Sequence, residues 1–363
     1  MTRRILAAIG PVWLLCVTAP ALATEAPKID PLRFGATQVN PSRFGDKPAE
    51  PDSLPTPLTI LKAKKIDPGS VETPAPVADQ GIDLKRFGGK PPDEAYGAFQ
   101  RGLYMTAYNL ALPRAEKGDP HAQALVAELL TRGLGVKLDP SAAAGWYEKA
   151  AQQGVTDAQF QVALLKLDGK YVARDRTGAI ALMKTAAESG NPLAQFNLAQ
   201  LYIEEQPGEI GLKAALPYLR TAAATGLPDA QYAMAQFYAN GAAGVKADAA
   251  EARRYLIEAA RQGYDTAQLD LGTALVETKT QAEQRDGFAW LLRAATQGNV
   301  AAMNRVAKLY MQGIGVNPDP VEAAAWYKLA SKAGLSDLEM QDYLDGLSEE
   351  QMAKAGERAT LLR

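Results

Sequence analysis

Catalysis needs several reactive groups brought together, and this sequence offers few to bring. His121 is the single histidine and Cys16 the single cysteine among 363 residues. One imidazole has no second histidine or thiol with which to hold a metal ion. A Ser-His-Asp arrangement would have to use His121, which stands at the start of a helical segment, an ordinary exposed position. Gly133-Leu134-Gly135-Val136 looks like a phosphate cradle only superficially. No Gly-Lys-Ser/Thr follows it, no strand precedes it, and turn geometry accounts for it. Asp and Glu are scattered, without the pairing that glycoside hydrolysis uses. No catalytic residue, cofactor or metal is therefore expected, and a hydrolase is the weakest of the alternatives.

The informative constellation is positional. Phe160, Phe196, Tyr232, Leu269 and Asn304 recur one repeat apart in a ladder that starts at Ala124. A second ladder runs Glu128, Leu164, Gln200, Gln236, Thr273, Lys308, and a third Thr131, Leu167, Ile203, Ala239, Val276, Met311. Two readings stay open. Phe160, Phe196 and Tyr232, edged by Gln200 and Gln236, form an apolar stripe that grips an extended peptide or a partner helix. Otherwise these aromatics pack between repeats. On the first reading, charged replacements at Gln200 and Gln236 combined with Phe196→Ala abolish partner capture without unfolding the chain.

The elements that position these ladders follow from a period. Ala-Ala-x-x-Gly recurs at Ala150, Ala186, Ala222, Ala259 and Ala294. The glycines at 118, 154, 190, 226, 263, 298 and 334 are spaced 36, 36, 36, 37, 35 and 36 apart. Such a period implies stacked units, none of which buries its apolar face alone. The marking glycine suits a left-handed helix end, and Asp119-Pro120 or Asn191-Pro192 then supplies a cap followed by proline for the first helix of the next unit. Apolar residues three and four apart, such as Ala194, Leu198, Leu201 and Tyr202, give that helix one buried face. The second helix opens at Asp139-Pro140 or Asp319-Pro320 and runs through Ala143-Ala144-Gly145-Trp146-Tyr147 or Ala323-Ala324-Ala325-Trp326-Tyr327. Small residues let helix axes approach, so a large side chain at Ala187 or Ala223 costs about 1–3 kcal/mol by overpacking.

The Ala-Gln of the first helix, the Gly-x-Gly-Val loop, the Asp after it, Trp-Tyr and Ala-Ala-x-x-Gly together resemble the Sel-one-like repeat, a relative of the tetratricopeptide repeat. The resemblance spans about Glu94 to Gly334. Residues 119–154 and 299–334 carry nearly all of it, although Ala302-Met303 replaces Ala-Gln. It implies an adaptor without enzymatic activity, whose partner is a protein. Exported bacterial members resemble regulators and scaffolds, including periplasmic inhibitors of sensor kinases that control exopolysaccharide synthesis. The partner so implied is a sensor-kinase periplasmic domain or an envelope assembly factor. The expected fold is all-α: a right-handed α-solenoid of helix-turn-helix repeats at 119–154, 155–190, 191–226, 227–263, 264–298 and 299–334. An irregular helical unit at 93–118 precedes them. Capping helices at 335–363 follow, where Ser336 with Glu339 and Ser348 with Gln351 make capping-box patterns.

The N-terminus reads as an export signal. Arg3 and Arg4 precede a mostly apolar run, Ile5 to Val17, too short to span a bilayer, and Ala21-Leu22-Ala23 fits a cleavage site after Ala23. Twin-arginine export through Arg3-Arg4 and lipidation of Cys16 are weaker alternatives. Cleavage leaves no cysteine, which suits an oxidising compartment, so a periplasmic or secreted protein is expected. The formal charge of −2 becomes −4 when Arg3 and Arg4 are lost, which gives no basic surface for nucleic acid. No later segment is apolar enough to span a membrane. Residues 24–92 hold 12 of the 23 prolines and read as a disordered arm, broken by one possible transient helix at Leu58 to Ile66. Arg-Phe-Gly recurs there at Arg33, Arg43 and Arg86. Each copy is either a docking anchor or chance in a biased segment. A peptidoglycan- or glycan-associated protein, with aromatics stacked on sugar rings, is the main alternative to the protein scaffold.

Overall fold

The computed structural model describes residues 93–362. The expected export signal, the proline-rich residues 24–92 with their three Arg-Phe-Gly copies and the helix expected at 58–66 lie outside the described residues. Within them every regular element is a helix, sixteen in all. They divide into two compact units, residues 93–139 and 140–362.

The first unit holds α1 (Glu94–Gln100), α2 (Tyr104–Glu116) and α3 (Pro120–Arg132). Its core joins Ala98, Ala107 and Leu129 to Phe99, Tyr104, Tyr108 and Leu125. Two helix starts are tied by one side chain. Asp93 accepts from Ala95 and Tyr96 at the head of α1, and Asp119 accepts from His121 and Ala122 at the head of α3. Arg114 bridges the two carboxylates at 2.8 and 2.7 Å. Its hydrogen bonds hold Asp93 below the usual carboxylate range and raise the guanidinium itself. The Gly-Leu-Gly-Val loop after α3 is structural: at Gly135 φ is +68°, and a Cβ there would run into the backbone of Tyr104 and Met105. His121 is exposed.

The second unit contains α4 (Pro140–Gln152), α5 (Thr156–Asp168), α6 (Arg176–Glu188), α7 (Pro192–Glu205), α8 (Glu209–Ala224), α9 (Pro228–Asn240), α10 (Ala249–Arg261), α11 (Asp265–Val276), α12 (Gln281–Thr296), α13 (Val300–Gln312) and α14 (Pro320–Lys332). The cap is α15 (Leu338–Asp345) and α16 (Glu349–Leu361). Helices pack mainly against their neighbours in sequence, and α14 also packs against α16. The leading alanine of each Ala-Ala-x-x-Gly phrase, from Ala150 to Ala294, has 0% exposure. Ala187 and Ala223 are 2% and 3% exposed, so no room exists beside them for a larger side chain. The marking glycines in this unit all have φ between 86° and 97°.

The Ala-Gln dipeptide now has a physical explanation. The last carbonyls of a helix have no i+4 donor within it; here the N–H of each marking glycine already reaches one of them at 2.9–3.1 Å, and a glutamine supplies a second donor. Gln159, Gln195 and Gln268 are buried, and each points its Nε2 at a carbonyl near the end of the preceding helix: Ala151 at 3.5 Å, Ala187 at 3.0 Å and Ala260 at 3.0 Å. Gln123 does the same to Ala115 within the first unit, at 3.1 Å. The other half of the amide is served unevenly. Gln231 Oε1 accepts from Gln262 at 2.6 Å and Gln268 Oε1 from Gln297 at 3.1 Å, each donor standing just before a marking glycine. At that position the units of Gln159 and Gln195 carry the shorter Ser189 and Thr225, and both Oε1 atoms are buried without a partner. Thr225→Gln and Ser189→Gln are therefore expected to raise the unfolding free energy by about 0.5–1.5 kcal/mol each. Chemical denaturation tests this, and the Thr225→Gln gain should vanish when Gln195 is also changed to Met.

The C-terminal cap corrects one expectation. Ser348 and Gln351 form the expected capping box on α16, but Asp337, not Ser336, caps α15 by accepting from Met340. The carboxylate wins because Asn304 and Lys308 of α13 also hold it, at 2.9 and 2.8 Å. Among the described residues no helix is long and apolar enough to cross a membrane.

Candidate protein-interaction face

The ladder residues sit on the first helices of successive units, and the structure distributes them unequally. Phe160 on α5 is only 5% exposed and packs with Met183, Leu198 and Leu201, so it belongs to the core and to no open stripe. Phe196 on α7 is half-buried against the cluster of Leu219, Met234 and Phe237. Phe196→Ala would therefore remove core packing as well as surface, which spoils it as a clean binding probe. Leu269 on α11 packs against the cluster that contains Val306 and Leu309. Asn304 on α13 donates to Asp337 at 2.9 Å, which commits it to the cap. Gln200 and Gln236 are both half-buried.

Tyr232 on α9 is different. Its hydroxyl donates to Asp270 Oδ2 at 2.8 Å, and its ring lies 5.1 Å from that of Tyr264, tilted by 38°. Tyr264 stands at the head of α11, beside Asp265, whose Oδ2 accepts from Asn299 at 2.9 Å. Asp229 lies in the first turn of α9. Asp229, Asp265, Asp270, Tyr232, Tyr264 and Gln236 are all half-buried. Among the described residues no Lys or Arg forms an ion pair with any of these three carboxylates. The reason is compositional: α7, α9 and α11 contain no Lys, Arg or His. Glu204 and Glu205 at the end of α7 do have a cation, Arg176, at 3.3 and 3.4 Å.

The electrostatics follow. Burial pushes the Asp229 carboxyl up, and the negative charge of Asp265 adds to it. Burial also pushes Asp270 up, opposed by the Tyr232 hydroxyl donated to it. Both tyrosines are raised, by burial first and then by the surrounding carboxylates. An acid whose folded pKa is raised contributes stability that is complete below its unfolded pKa and lost as pH rises through the folded one. Asp229→Asn and Asp270→Asn are thus expected to raise the melting temperature at pH 7. The advantage over the parent should shrink steadily as the pH falls towards 4, which a pH series of thermal melts would show.

Sequence reasoning missed Asp229, Tyr264, Asp265 and Asp270. Asp270 lies one residue beyond a ladder position, on a register whose other members are Leu125, Gln161, Asn197, Ala233 and Arg305, so periodicity gave it no emphasis. What could have found the site was the run of three first helices without a single cation.

Chemically, uncompensated carboxylates beside two tyrosine rings suit a guanidinium or ammonium group. Such a cation regains charge-assisted hydrogen bonds and stacks on the rings. Among the described residues no group of three or more His, Cys, Asp or Glu is arranged to hold a metal ion.

The family model for the Sel1 repeat matches residues 120–155, 156–191, 192–224, 228–264, 278–299 and 300–335. A Sel1 repeat protein from Oxalobacter formigenes is similar in structure, with a TM-score of 0.56 and 31% identity over 70% of this chain and 77% of that one. The protective antigen c5321 of uropathogenic Escherichia coli, which displays the same repeat fold, gives a TM-score of 0.50 and 26% identity over 71% of this chain and 64% of that one. No curated protein matches the sequence. Sel1 repeats generally mediate protein–protein contacts and typically form scaffolds without enzymatic activity. Six matched repeats, and helix pairs joined through buried Ala and Gln, place the chain in the Sel1 repeat family.

Proposed function

We propose that the chain is an exported, non-catalytic scaffold whose first-helix face on α7, α9 and α11 holds a protein segment in the bacterial envelope. The observation that carries this reading is the cation-free surface of half-buried Asp229, Asp265 and Asp270 around Tyr232 and Tyr264. A free protein gains nothing in stability from desolvating carboxylates that nothing neutralises. A bound cationic segment would compensate them. Export is supported by Arg3-Arg4, the apolar run to Val17 and Ala21-Leu22-Ala23. The partner class in view is the periplasmic domain of a signalling receptor or an envelope assembly factor.

A photoreactive side chain at Gln236 of the protein in its own cells tests both parts. The expected result is a discrete protein adduct in the envelope fraction, lost on Asp270→Lys, from a mature chain beginning at Thr24. Labelling confined to peptidoglycan, or an adduct indifferent to Asp270→Lys, would overturn it.

A further inference from the structure

The arm of this chain carries the cation that the face lacks. Arg-Phe-Gly occurs at Arg33, Arg43 and Arg86, the three arginines of residues 24–92, each within a stretch of net positive charge; Lys62, Lys64 and Lys65 form a separate cationic run without arginine. Residues 28–47 hold Lys28, Arg33, Arg43 and Lys47 against Asp30 and Asp46, a net +2. Residues 82–90 hold Lys85, Arg86 and Lys90 against Asp83, again +2. The stretch between them, 48–81, is −2: Lys62, Lys64 and Lys65 against Glu50, Asp52, Asp67, Glu72 and Asp79.

We propose that residues 28–47 of the arm dock on the Asp229–Asp265–Asp270 site of the same molecule, with the guanidinium of Arg33 or Arg43 among the carboxylates and against the rings of Tyr232 and Tyr264. This rests on the reading of α7, α9 and α11 as an interaction face, and it names an occupant for that face. Three features fit this segment, which holds two of the three Arg-Phe-Gly copies where residues 82–90 hold one. Its charge is opposite to that of the site. Its arginines are each followed by a phenylalanine, a second group able to stack beside half-buried Tyr232 and Tyr264. The following glycine removes the side chain that would hold the backbone off the helices. Fifty residues separate Arg43 from Asp93, a tether of up to about 165 Å at roughly 3.3 Å per residue. Arginine suits the site better than lysine, because its planar fork meets two carboxylates and stacks on an aromatic face at once.

The test uses the full chain with benzoylphenylalanine at position 34 or 44, irradiated and mapped by mass spectrometry. Expected are adducts of monomer mass in Pro228–Asn240 or Asp265–Val276, with the yield cut at least tenfold by the Asp229→Asn/Asp270→Asn pair. Arg33→Lys/Arg43→Lys should retain part of the yield that Arg33→Gln/Arg43→Gln loses. Adducts on other helices, adducts only at dimer mass, or a yield insensitive to the aspartates would overturn the proposal. Circular dichroism of the aspartate variants guards against unfolding. The two readings fail separately. A partner adduct from Gln236 with no arm adduct sinks the docking alone. An arm adduct with no partner adduct sinks the envelope scaffold alone.

Discussion

Trp326→Ala lowers the unfolding free energy by about 3–5 kcal/mol, whereas Trp146→Ala costs only about 1 kcal/mol. The two tryptophans occupy the same place in the repeat phrase, so a reading by motif predicts equal effects. Their surroundings differ. Trp326 on α14 is 1% exposed and lies in a cluster with Val276, Leu291, Val306, Leu309 and Met340. The adjacent Tyr327 hydroxyl donates to the Asp337 carbonyl at 3.0 Å and accepts from the Asp337 nitrogen at 3.1 Å, which seats α15. Helix α16 covers α14 from another side through Ala355 and Ala359, with Arg358 paired to Glu322 at 2.6 Å. Trp146 on α4 is half-buried, with the Lys149 ammonium 4.3 Å above its ring. In a stacked array the loss should stay near the site. Hydrogen exchange ought to quicken in α13 to α16 of Trp326→Ala and hold steady in α5 to α7. Equal denaturation midpoints for the two variants would refute the argument.

The fold was legible because its punctuation is chemical. A glycine every 36 residues or so, Asp-Pro and Asn-Pro starts and paired alanines each demand one local conformation, and together they demand a stack. What periodicity could not show is which way a side chain faces in its neighbours' company. Phe160 and Tyr232 share a ladder rung, yet one is sealed between helices and the other meets Asp270. The buried glutamines were legible as a motif and not as a mechanism, since nothing in Ala-Gln says that the amide reaches a carbonyl eight residues back. Asp337 displaced Ser336 as a cap because of Lys308, which is distant in sequence. The candidate site was the least legible part, because it is defined by an absence of cations on three separate helices and by Asp270, an acid that no other unit carries at its register.

Returning unit five to the pattern of its neighbours should damage it. Gly272 on α11 stands where the other first helices carry Ala127, Ala163, Ala199, Ala235 and Ala307, none more than 3% exposed. Gly287 on α12 stands where the other second helices carry Ala143, Ala179, Ala215, Ala252 and Ala323, all but half-buried Ala252 no more than 1% exposed. Alanine in place of a helical glycine normally stabilises by about 1 kcal/mol. Here a Cβ on Gly272 would lie 2.8 Å from the Gly287 carbonyl and 2.7 Å from Leu291, and a Cβ on Gly287 would lie 2.8 Å from the Gly272 carbonyl and 2.7 Å from Val276. The two helices have closed over the missing methyl groups. Gly272→Ala and Gly287→Ala should each lose about 1–3 kcal/mol through overpacking, enough to cancel or reverse the propensity gain, and valine at either place should lose more. The pair should not be additive. Once one methyl has driven α11 and α12 apart, the second enters space already opened, so the double variant should be more stable than the sum of the single losses implies. A double-mutant cycle by urea denaturation measures that difference. Strict additivity, or a gain in stability from either alanine alone, would mean that the crossing is looser than the glycine pair makes it.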